Sequence, residues 1–286
     1  MGRTRTMLTA LAVSLVASVT AAATVELLRR QAAVARRRIG KALGEVAPDA
    51  DRVWRKKYGG DALELLVLGD SIAAGLGAER RKDTLGARIA RGVAKKLQRP
   101  VRLRVAAVVG SESSALAAQL DDLPAGYRPD VAVVVVGGND VTHRVPTAVS
   151  VRHLVEAVDR LHARGSAVVV GTCPDLGALR PVPQPLRVLG ARASRQLAAA
   201  QSVAARRAGA HAVSLAEVVG PFFISYPDEA FSLDRFHPSA AGYRRTAKEL
   251  VPSVLVALGE RAELPPGHRP PDPLAGRPRR RWRRSA

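Results

Sequence analysis

Three side chains of this sequence have the chemistry that covalent catalysis through a serine requires. Ser71 follows a short apolar run at positions 65–68, and Asp234 and His237 stand three residues apart near the end of the chain. A serine hydroxyl becomes a good nucleophile only when a base removes its proton, and histidine suits that task near neutral pH. The base needs a carboxylate that orients its ring and stabilises its protonated form. We therefore predict Ser71 as the nucleophile, His237 as the general base and Asp234 as its orienting partner.

The oxyanion that forms on attack needs hydrogen-bond donors that are already in place. Gly110 follows the second apolar run of the chain, and Asn139 follows a Gly-Gly pair. The candidate donors are the backbone N–H groups of Ser71 and Gly110 and the side-chain amide of Asn139. A glycine at position 110 also lets the backbone approach a substrate without a side chain in the way. We predict an oxyanion hole made of these three residues.

Other polar residues lie beside these motifs. Asp70, Asp140 and His143 are candidate substrate contacts, although for Asp140 a structural role in the loop is favoured. His143 is also the rival candidate for the general base, because it is four residues from Asn139. No histidine pair has the spacing of a metal site, so we predict none. Cys173 is the only cysteine, and a small buried hydrophobe is favoured over a catalytic thiol.

The elements that must position these residues follow an alternating pattern. Apolar runs predict strands at residues 63–68, 101–109, 131–136, 167–172 and 211–215. Helical patterns occupy residues 85–97, 113–123, 151–163, 186–208 and 239–258. Such alternation predicts a parallel sheet with helices on both faces, and an all-valine run at 133–136 predicts its central strand. Ligands bind at the carboxyl ends of such strands, where Ser71 would lie.

Two proline-containing segments modify this pattern. The segment 174–184, Pro-Asp-Leu-Gly-Ala-Leu-Arg-Pro-Val-Pro-Gln, follows the fourth predicted strand and is too rich in proline for a helix or a strand. We predict a loop or short lid at the substrate entrance. Pro252 interrupts the last helical pattern and predicts a kink or an early stop there.

Four sequence blocks, taken together and in order, resemble those of the SGNH hydrolases, also called GDSL lipases and esterases. The blocks are Gly-Asp-Ser at 69–71, Gly110, Gly-Gly-Asn-Asp at 137–140 and Asp-Arg-Phe-His-Pro at 234–238. The resemblance implies a three-layer α/β/α, flavodoxin-like fold. It also implies the catalytic roles predicted above and no metal or organic cofactor. The second block departs from the family, because two valines precede Gly110 where an asparagine is often found.

The resemblance implies a serine esterase or acylhydrolase. Its substrate would be an ester or thioester of a lipid or of an acylated carbohydrate, cleaved through an acyl-enzyme on Ser71. Transfer of the acyl group to a glycan or glycolipid is an alternative, since only the second nucleophile differs. A catalytically inactive, membrane-tethered binding module is an alternative of another class. The Gly-x-Ser-x-Gly elbow of α/β-hydrolases is absent, because Ile72 and Ala73 follow the serine.

The charge of the chain is concentrated at its ends. The formal net charge is +20, and residues 1–57 carry 12 Lys and Arg against 4 acidic residues, while residues 261–286 carry 8 against 2. This distribution predicts attraction of both ends to an anionic membrane surface or an anionic polymer. Nucleic-acid binding is not favoured, because no recognition motif accompanies the charge.

We predict four segments along the chain. They are a signal peptide or membrane anchor at 1–28, a basic juxtamembrane helix and linker at 29–60, the hydrolase domain at 61–259 and a disordered Pro/Arg-rich tail at 260–286. The protein would then be membrane-associated or exported. The arginines after the apolar segment favour a cytoplasmic domain, whereas a cleaved signal peptide favours export, so the side is left open. The sequence does not predict an oligomeric state.

Overall fold

One mixed sheet organises the fold. The computed structural model describes residues 2–40 and 42–273 of the chain. Within this part, seven strands form the sheet in the order β1-β3-β2-β4-β5-β6-β7. The strands are β1 (Arg52–Trp54), β2 (Leu63–Gly69), β3 (Val101–Val105), β4 (Val131–Val135), β5 (Ala167–Gly171), β6 (His211–Val213) and β7 (His268–Arg269). The five inner strands are parallel to one another, and β1 and β7 pair antiparallel at the two edges.

The helices connect the strands and cover the sheet. They are α1 (Gly2–Ile39), α2 (Ser71–Ala74), α3 (Leu85–Leu97), α4 (Leu116–Asp121), α5 (Gly138–Thr142), α6 (Thr147–Ala163), α7 (Leu186–Arg207), α8 (Leu215–Val218), α9 (Gly220–Ser225), α10 (Pro227–Ala230) and α11 (Ala240–Ala257). All five predicted helical segments and all five predicted strands are present. The strand predicted at 101–109 ends early, at Val105, because the residues after it form the loop that carries Gly110.

Alternate residues of the inner strands face opposite helical layers. In β2, Leu65 and Val67 join the core beneath α3 and α11, whereas Leu66 and Leu68 join the core beneath α4 and α6. Every residue of β4 is buried, which requires cover on both faces. The fold is therefore a three-layer α/β/α arrangement, and the valine-rich strand lies at its centre as predicted.

The sheet extends beyond the predicted domain boundaries in both directions. The strand β1 lies in the segment predicted as a linker, and the Asp51 carboxylate next to it accepts a hydrogen bond from the Val105 N–H at 2.8 Å. The strand β7 lies in the segment predicted as a disordered tail. His268 of β7 is buried, and its Nδ1 is 2.7 Å from the Ser253 hydroxyl of α11. Both edges were missed because strands of two or three residues carry no periodic pattern.

Two further predictions about helices need correction. The helix α11 continues through Pro252, so the predicted early stop is wrong. Leu250 and Val254 are fully buried on either side of the proline, and this packing holds the helix together. In the segment predicted as a juxtamembrane helix and linker, at 29–60, the helix covers only the first part and ends at Ile39. The tail residues 274–286 lie outside the described part of the chain.

The N-terminal apolar segment lies within α1. Among the described residues, no helix combines the length and the apolar character that a bilayer crossing requires. The signal peptide or anchor at 1–28 and the membrane association therefore stay predictions. Near its carboxyl end α1 contacts the domain, where Ala35 is only 7% exposed.

Candidate active site

The predicted nucleophile, base and carboxylate form one hydrogen-bonded relay. Ser71 is the first residue of α2, immediately beyond the carboxyl end of β2, and its side chain is buried. Its Oγ lies 3.0 Å from His237 Nε2, and His237 Nδ1 lies 2.6 Å from Asp234 Oδ2. A carboxylate only accepts, so Nδ1 carries the proton and Nε2 accepts from the Ser71 hydroxyl. The geometry matches that of a serine nucleophile with its general base.

The Asp234 carboxylate is held ionised. Burial raises the pKa of Asp234, but hydrogen bonds from the His237 ring and from the backbone N–H groups of Phe236 and His237 outweigh it, so that the pKa is below its usual value. These two N–H groups donate to Oδ1 at 2.9 and 3.0 Å, which leaves Oδ2 for the imidazole. The loop thus presents a negative charge where a protonated His237 would need it.

Asp70 behaves differently from Asp234. Its burial raises the pKa to about 6, although backbone N–H groups of Ile72, Gly137 and Gly138 partly offset the effect. Its Oδ1 accepts from Ile72 N–H at 3.0 Å and caps α2. Asp70 lines the cavity described below, yet its carboxyl group is committed to the backbone. It therefore positions Ser71, and its contact with substrate stays a prediction.

The backbone of Gly69, two residues before the nucleophile, is fixed by close packing and by hydrogen bonds to a glutamine. Gly69 has a φ of +133°, and a Cβ there would lie 1.8 Å from the Val135 carbonyl oxygen. The buried Gln119 side chain accepts from Gly69 N–H at 3.0 Å and donates to Gly69 O at 2.8 Å. The sequence pattern did not predict this pair of hydrogen bonds, which we call the Gln119 clamp. The available signal was a lone amide on the buried face of an otherwise apolar helix.

A second buried glutamine, Gln201, bonds the backbone just beyond the carboxyl ends of β4 and β5. The Gln201 side chain accepts from Cys173 N–H at 2.7 Å and donates to Val136 O at 3.0 Å. Such bonds satisfy backbone groups where parallel strands diverge and ladder bonds stop. The Cys173 thiol is buried, and burial raises its pKa well above the usual value, in line with the prediction of a small buried hydrophobe at this position.

Asn139 lies at the cavity and has one amide hydrogen engaged. Its Nδ2 donates to the Ser111 carbonyl at 2.9 Å, and the second N–H remains available to an oxyanion. The Ser71 N–H is the first of α2 and has no acceptor within the helix. Gly110 has a φ of +82° in an exposed turn of the loop that Asn139 ties down. Among the described residues that line the cavity Gly110 is absent, and its role as donor stays a prediction.

The two remaining candidates do not contact the relay. Asp140 is buried and accepts from Ser113 N–H at 3.1 Å and from the Ser150 hydroxyl at 2.6 Å, which makes it a structural residue of the loop. His143 is exposed, and its Nδ1 lies 2.7 Å from Glu112 Oε1. The rival assignment of His143 as the base is therefore wrong, because the contact with the serine is made by His237. Neither residue lines the described cavity, which gives no support to direct substrate contacts.

An apolar cavity of about 60 Å³ opens beside Ser71 and His237. The predicted loop 174–184 contributes Leu176 and Leu179 to its wall, which confirms the place of that loop. The opposite wall was not predicted; it comes from α8, α9 and the residues after α10, including Leu215, Val219, Phe223, Phe231 and Phe236. The available signal was that all four phenylalanines of the chain lie between positions 222 and 236.

The described residues contain no cluster of three or more His, Cys, Asp or Glu side chains arranged to hold a metal ion. A hydroxyl, an imidazole and a carboxylate in this arrangement are the groups that acyl transfer through a serine requires, and the two N–H groups beside them are candidate oxyanion donors.

Comparison with known proteins agrees with this geometry. Residues 67–245 match the model of the GDSL-like lipase/acylhydrolase family. The chain is 39% identical over 213 residues to GDSL-like esterase Rv1075c of Mycobacterium tuberculosis (strain ATCC 25618 / H37Rv), which covers 74% of this chain and 68% of that protein.

Solved structures share the fold. The psychrotrophic esterase EstA from Pseudoalteromonas sp. superposes with a TM-score of 0.51 at 16% identity, covering 69% of this chain and 97% of that one. A catalytic mutant of Axe2, an acetylxylan esterase from Geobacillus stearothermophilus, gives a TM-score of 0.51 at 19% identity, covering 71% and 96%. The fold, the family match and the relay at the strand ends lead to one conclusion: this chain is a serine hydrolase that belongs to the GDSL-like lipase/acylhydrolase family.

Proposed function

We propose that this protein hydrolyses esters of short carboxylic acids through an acyl-enzyme on Ser71. The observation that carries the proposal is the relay from Asp234 through His237 to Ser71, which ends at the mouth of an apolar cavity. A cavity of this lining binds an acyl chain, and the polar edge beside it holds the ester group.

The first half of the reaction forms the acyl-enzyme. Ser71 Oγ attacks the ester carbonyl carbon while its proton passes to His237 Nε2, and the carbonyl electron pair moves onto oxygen. The Ser71 N–H and the free N–H of Asn139 stabilise this oxyanion, with the Gly110 N–H as the proposed third donor. When the oxyanion collapses, the carbon–oxygen bond to the alcohol breaks, and the alcohol leaves with the proton from His237.

The second half releases the acid. His237, again neutral, takes a proton from a water molecule whose oxygen attacks the acyl carbon, and the same donors stabilise the second oxyanion. Its collapse breaks the bond to Ser71 Oγ, which recovers the proton from His237. Asp234 keeps its negative charge in every step, in line with its lowered pKa. Entry of an alcohol instead of water would give acyl transfer.

The cavity volume limits the acyl group. One water-sized group needs about 10–15 Å³ of such volume, so the cavity of about 60 Å³ holds about four to six non-hydrogen atoms. The acyl groups that fit run from acetyl to about pentanoyl. Of the two predicted substrate classes, this favours a short-chain acylated carbohydrate over a long-chain lipid.

A series of nitrophenyl esters tests the proposal. Purified protein should hydrolyse the acetate and butyrate esters and turn over the decanoate ester at least about tenfold more slowly, because a few surplus methylenes cannot enter the cavity. Ser71→Ala should abolish the activity. Ser253→Ala is the matched control, since Ser253 also bonds a histidine but lies away from the cavity. Equal turnover of all chain lengths would contradict the size limit, and full activity of Ser71→Ala would overturn the proposed function.

A further inference from the structure

The carboxyl-terminal end of α1 contacts residues 181–186, about 150 positions further along the chain. These residues include the second half of the loop 174–184, which is called the cavity loop below. The Gln31 side chain donates from Nε2 to the Gln184 carbonyl, and its Oε1 accepts from the Leu186 N–H at 2.9 Å. Arg38 Nη1 donates to the Pro181 carbonyl at 3.3 Å. Ala35 lies between them and is buried. Positions 31, 35 and 38 lie on one face of the helix, and this face of α1 packs against the loop.

The segment that α1 contacts has few hydrogen-bond donors of its own. Prolines at positions 181, 183 and 185 lack the N–H group, so within residues 181–185 only Val182 and Gln184 can donate a backbone hydrogen bond. Leu186 is the first residue of α7, and its N–H has no acceptor within that helix. Gln31 therefore adds a donor for the Gln184 carbonyl and an acceptor for the Leu186 N–H in a segment that has few donors of its own.

The same loop forms one wall of the cavity. Its first half lines the cavity through Leu176, Ala178 and Leu179, and it is held from α7, where the Ser194 hydroxyl accepts from Leu176 N–H at 3.1 Å. Its second half, from Pro181 onward, is held from α1. The Val182 N–H donates to the Leu179 carbonyl at 3.1 Å and joins the two halves, so displacement of the second half would shift the apolar wall without touching Ser71 or His237.

The hydrogen bonds from Gln31 and Arg38 to this loop are called the α1 clamp below. The helix α1 lies outside the family match, which begins at residue 67. We propose that Gln31, supported by Arg38, is a positioning residue that fixes the cavity loop and thereby limits the acyl chains that the site accepts. This inference rests on the proposed esterase function and assigns part of its specificity to α1.

Full-length point variants test the clamp. Gln31→Leu keeps the size of the side chain and removes both hydrogen-bonding groups, and Gln31→Leu with Arg38→Ala removes the second contact as well. Arg37→Ala is the control, because Arg37 is exposed on the same turn of α1. With nitrophenyl butyrate, KM should rise about threefold to tenfold in the Gln31→Leu variants, whereas kcat for the acetate ester should stay within about twofold of wild type. The rate on the hexanoate ester should increase relative to the butyrate ester.

Hydrogen exchange gives a readout that does not depend on activity. The Leu186 amide should exchange faster in Gln31→Leu than in wild type, and at the wild-type rate in Arg37→Ala. Unchanged exchange in Gln31→Leu would overturn the clamp itself. Faster exchange with unchanged KM and chain-length preference would overturn its role in specificity. Failure of the wild-type protein to hydrolyse any ester through Ser71 would instead overturn the proposed function, and the exchange experiment would distinguish the two.

Discussion

Two serine hydroxyls in the described part of the chain each lie within hydrogen-bonding distance of a histidine ring nitrogen, and the first of these pairs lies at the candidate active site. Ser71 Oγ lies 3.0 Å from His237 Nε2, and Ser253 Oγ lies 2.7 Å from His268 Nδ1. The second pair is the shorter of the two. A short contact between a hydroxyl and an imidazole is thus not sufficient to define a nucleophile.

The two pairs differ in what surrounds them. The other nitrogen of His237 bonds Asp234, whereas His268 Nε2 is buried with no hydrogen-bond partner, and the nearest carboxylate oxygen, of Glu249, is 4.0 Å away. His237 opens on the apolar cavity, while His268 lies between α11 and the edge of the sheet. Catalysis requires the orienting carboxylate, the oxyanion donors and access for substrate, and a structural pair lacks all three.

Replacement of the two serines should separate these roles most strongly. Ser71→Ala should lower kcat by about 10⁴-fold or more, because the nucleophile is lost. Ser253→Ala should leave kcat within about twofold and reduce the free energy of unfolding by about 1–3 kcal/mol, because a buried ring nitrogen loses its partner. Ester hydrolysis and chemical denaturation measure the two effects. A large loss of activity in a folded Ser253→Ala protein would break the distinction.

Removal of the carboxylate should make the catalytic pair resemble the structural one. Asp234→Asn preserves the size of the side chain but introduces an N–H donor beside the imidazole. The ring then loses its preferred tautomer, and kcat should fall by about 10³- to 10⁴-fold. Asp175→Asn, another carboxylate at the cavity, serves as the control and should have a far smaller effect on kcat. Comparable losses in both variants would show that the charge of the cavity, and not the orientation of His237, matters.

Loss of one oxyanion donor should have the next largest effect. Asn139→Ala removes the free N–H, and kcat should fall by about 10²- to 10³-fold, while KM changes little. Gln119→Leu removes the clamp on Gly69 and should have a smaller effect through the position of the Ser71 N–H. Steady-state kinetics on the acetate ester distinguishes the two, and wild-type kcat in Asn139→Ala would exclude that residue from the oxyanion hole.

The structural pair should contribute to the pH dependence of stability. Burial and the positive charges of Arg261 and Arg269 lower the pKa of His268 from its usual 6.5. The unfolded chain therefore takes up this proton first as the pH falls, and folding loses stability below about pH 6.5. His268→Asn keeps a group that can bond Ser253, and the drop in Tm between about pH 7 and pH 5 should be smaller than in wild type. An equal drop would assign the acid sensitivity to other groups.

The parts of the molecule that could be predicted from sequence are those in which residue type alone carries the signal. Long apolar runs predict buried strands, and Ser71, Asn139, Asp234 and His237 belong to short blocks whose order is informative. A lone amide on the buried face of a helix indicates a buried polar group but no particular partner, so the hydrogen bonds of Gln119 and Gln201 could not be predicted. The contact of Gln31 with Gln184 joins residues 153 positions apart and leaves no local pattern.

The edges of the sheet and the cavity walls were missed for a related reason. The strands β1 and β7 owe their conformation to the neighbouring strands and not to a pattern of their own. The aromatic wall arises because three short helices bring Phe223 and Phe231 toward a loop from another part of the chain. Shape of this kind depends on tertiary packing, which a single sequence does not display.

The central claim is that Ser71 is the activated nucleophile, and active-site labelling tests it most directly. A fluorophosphonate probe reacts with a serine that has a functional general base, and mass spectrometry of the digested protein locates the label. We predict one label per chain on the peptide that contains Ser71, unchanged in Ser253→Ala and lost in Ser71→Ala. Labelling at another residue, or no labelling of the folded wild-type protein, would contradict the account.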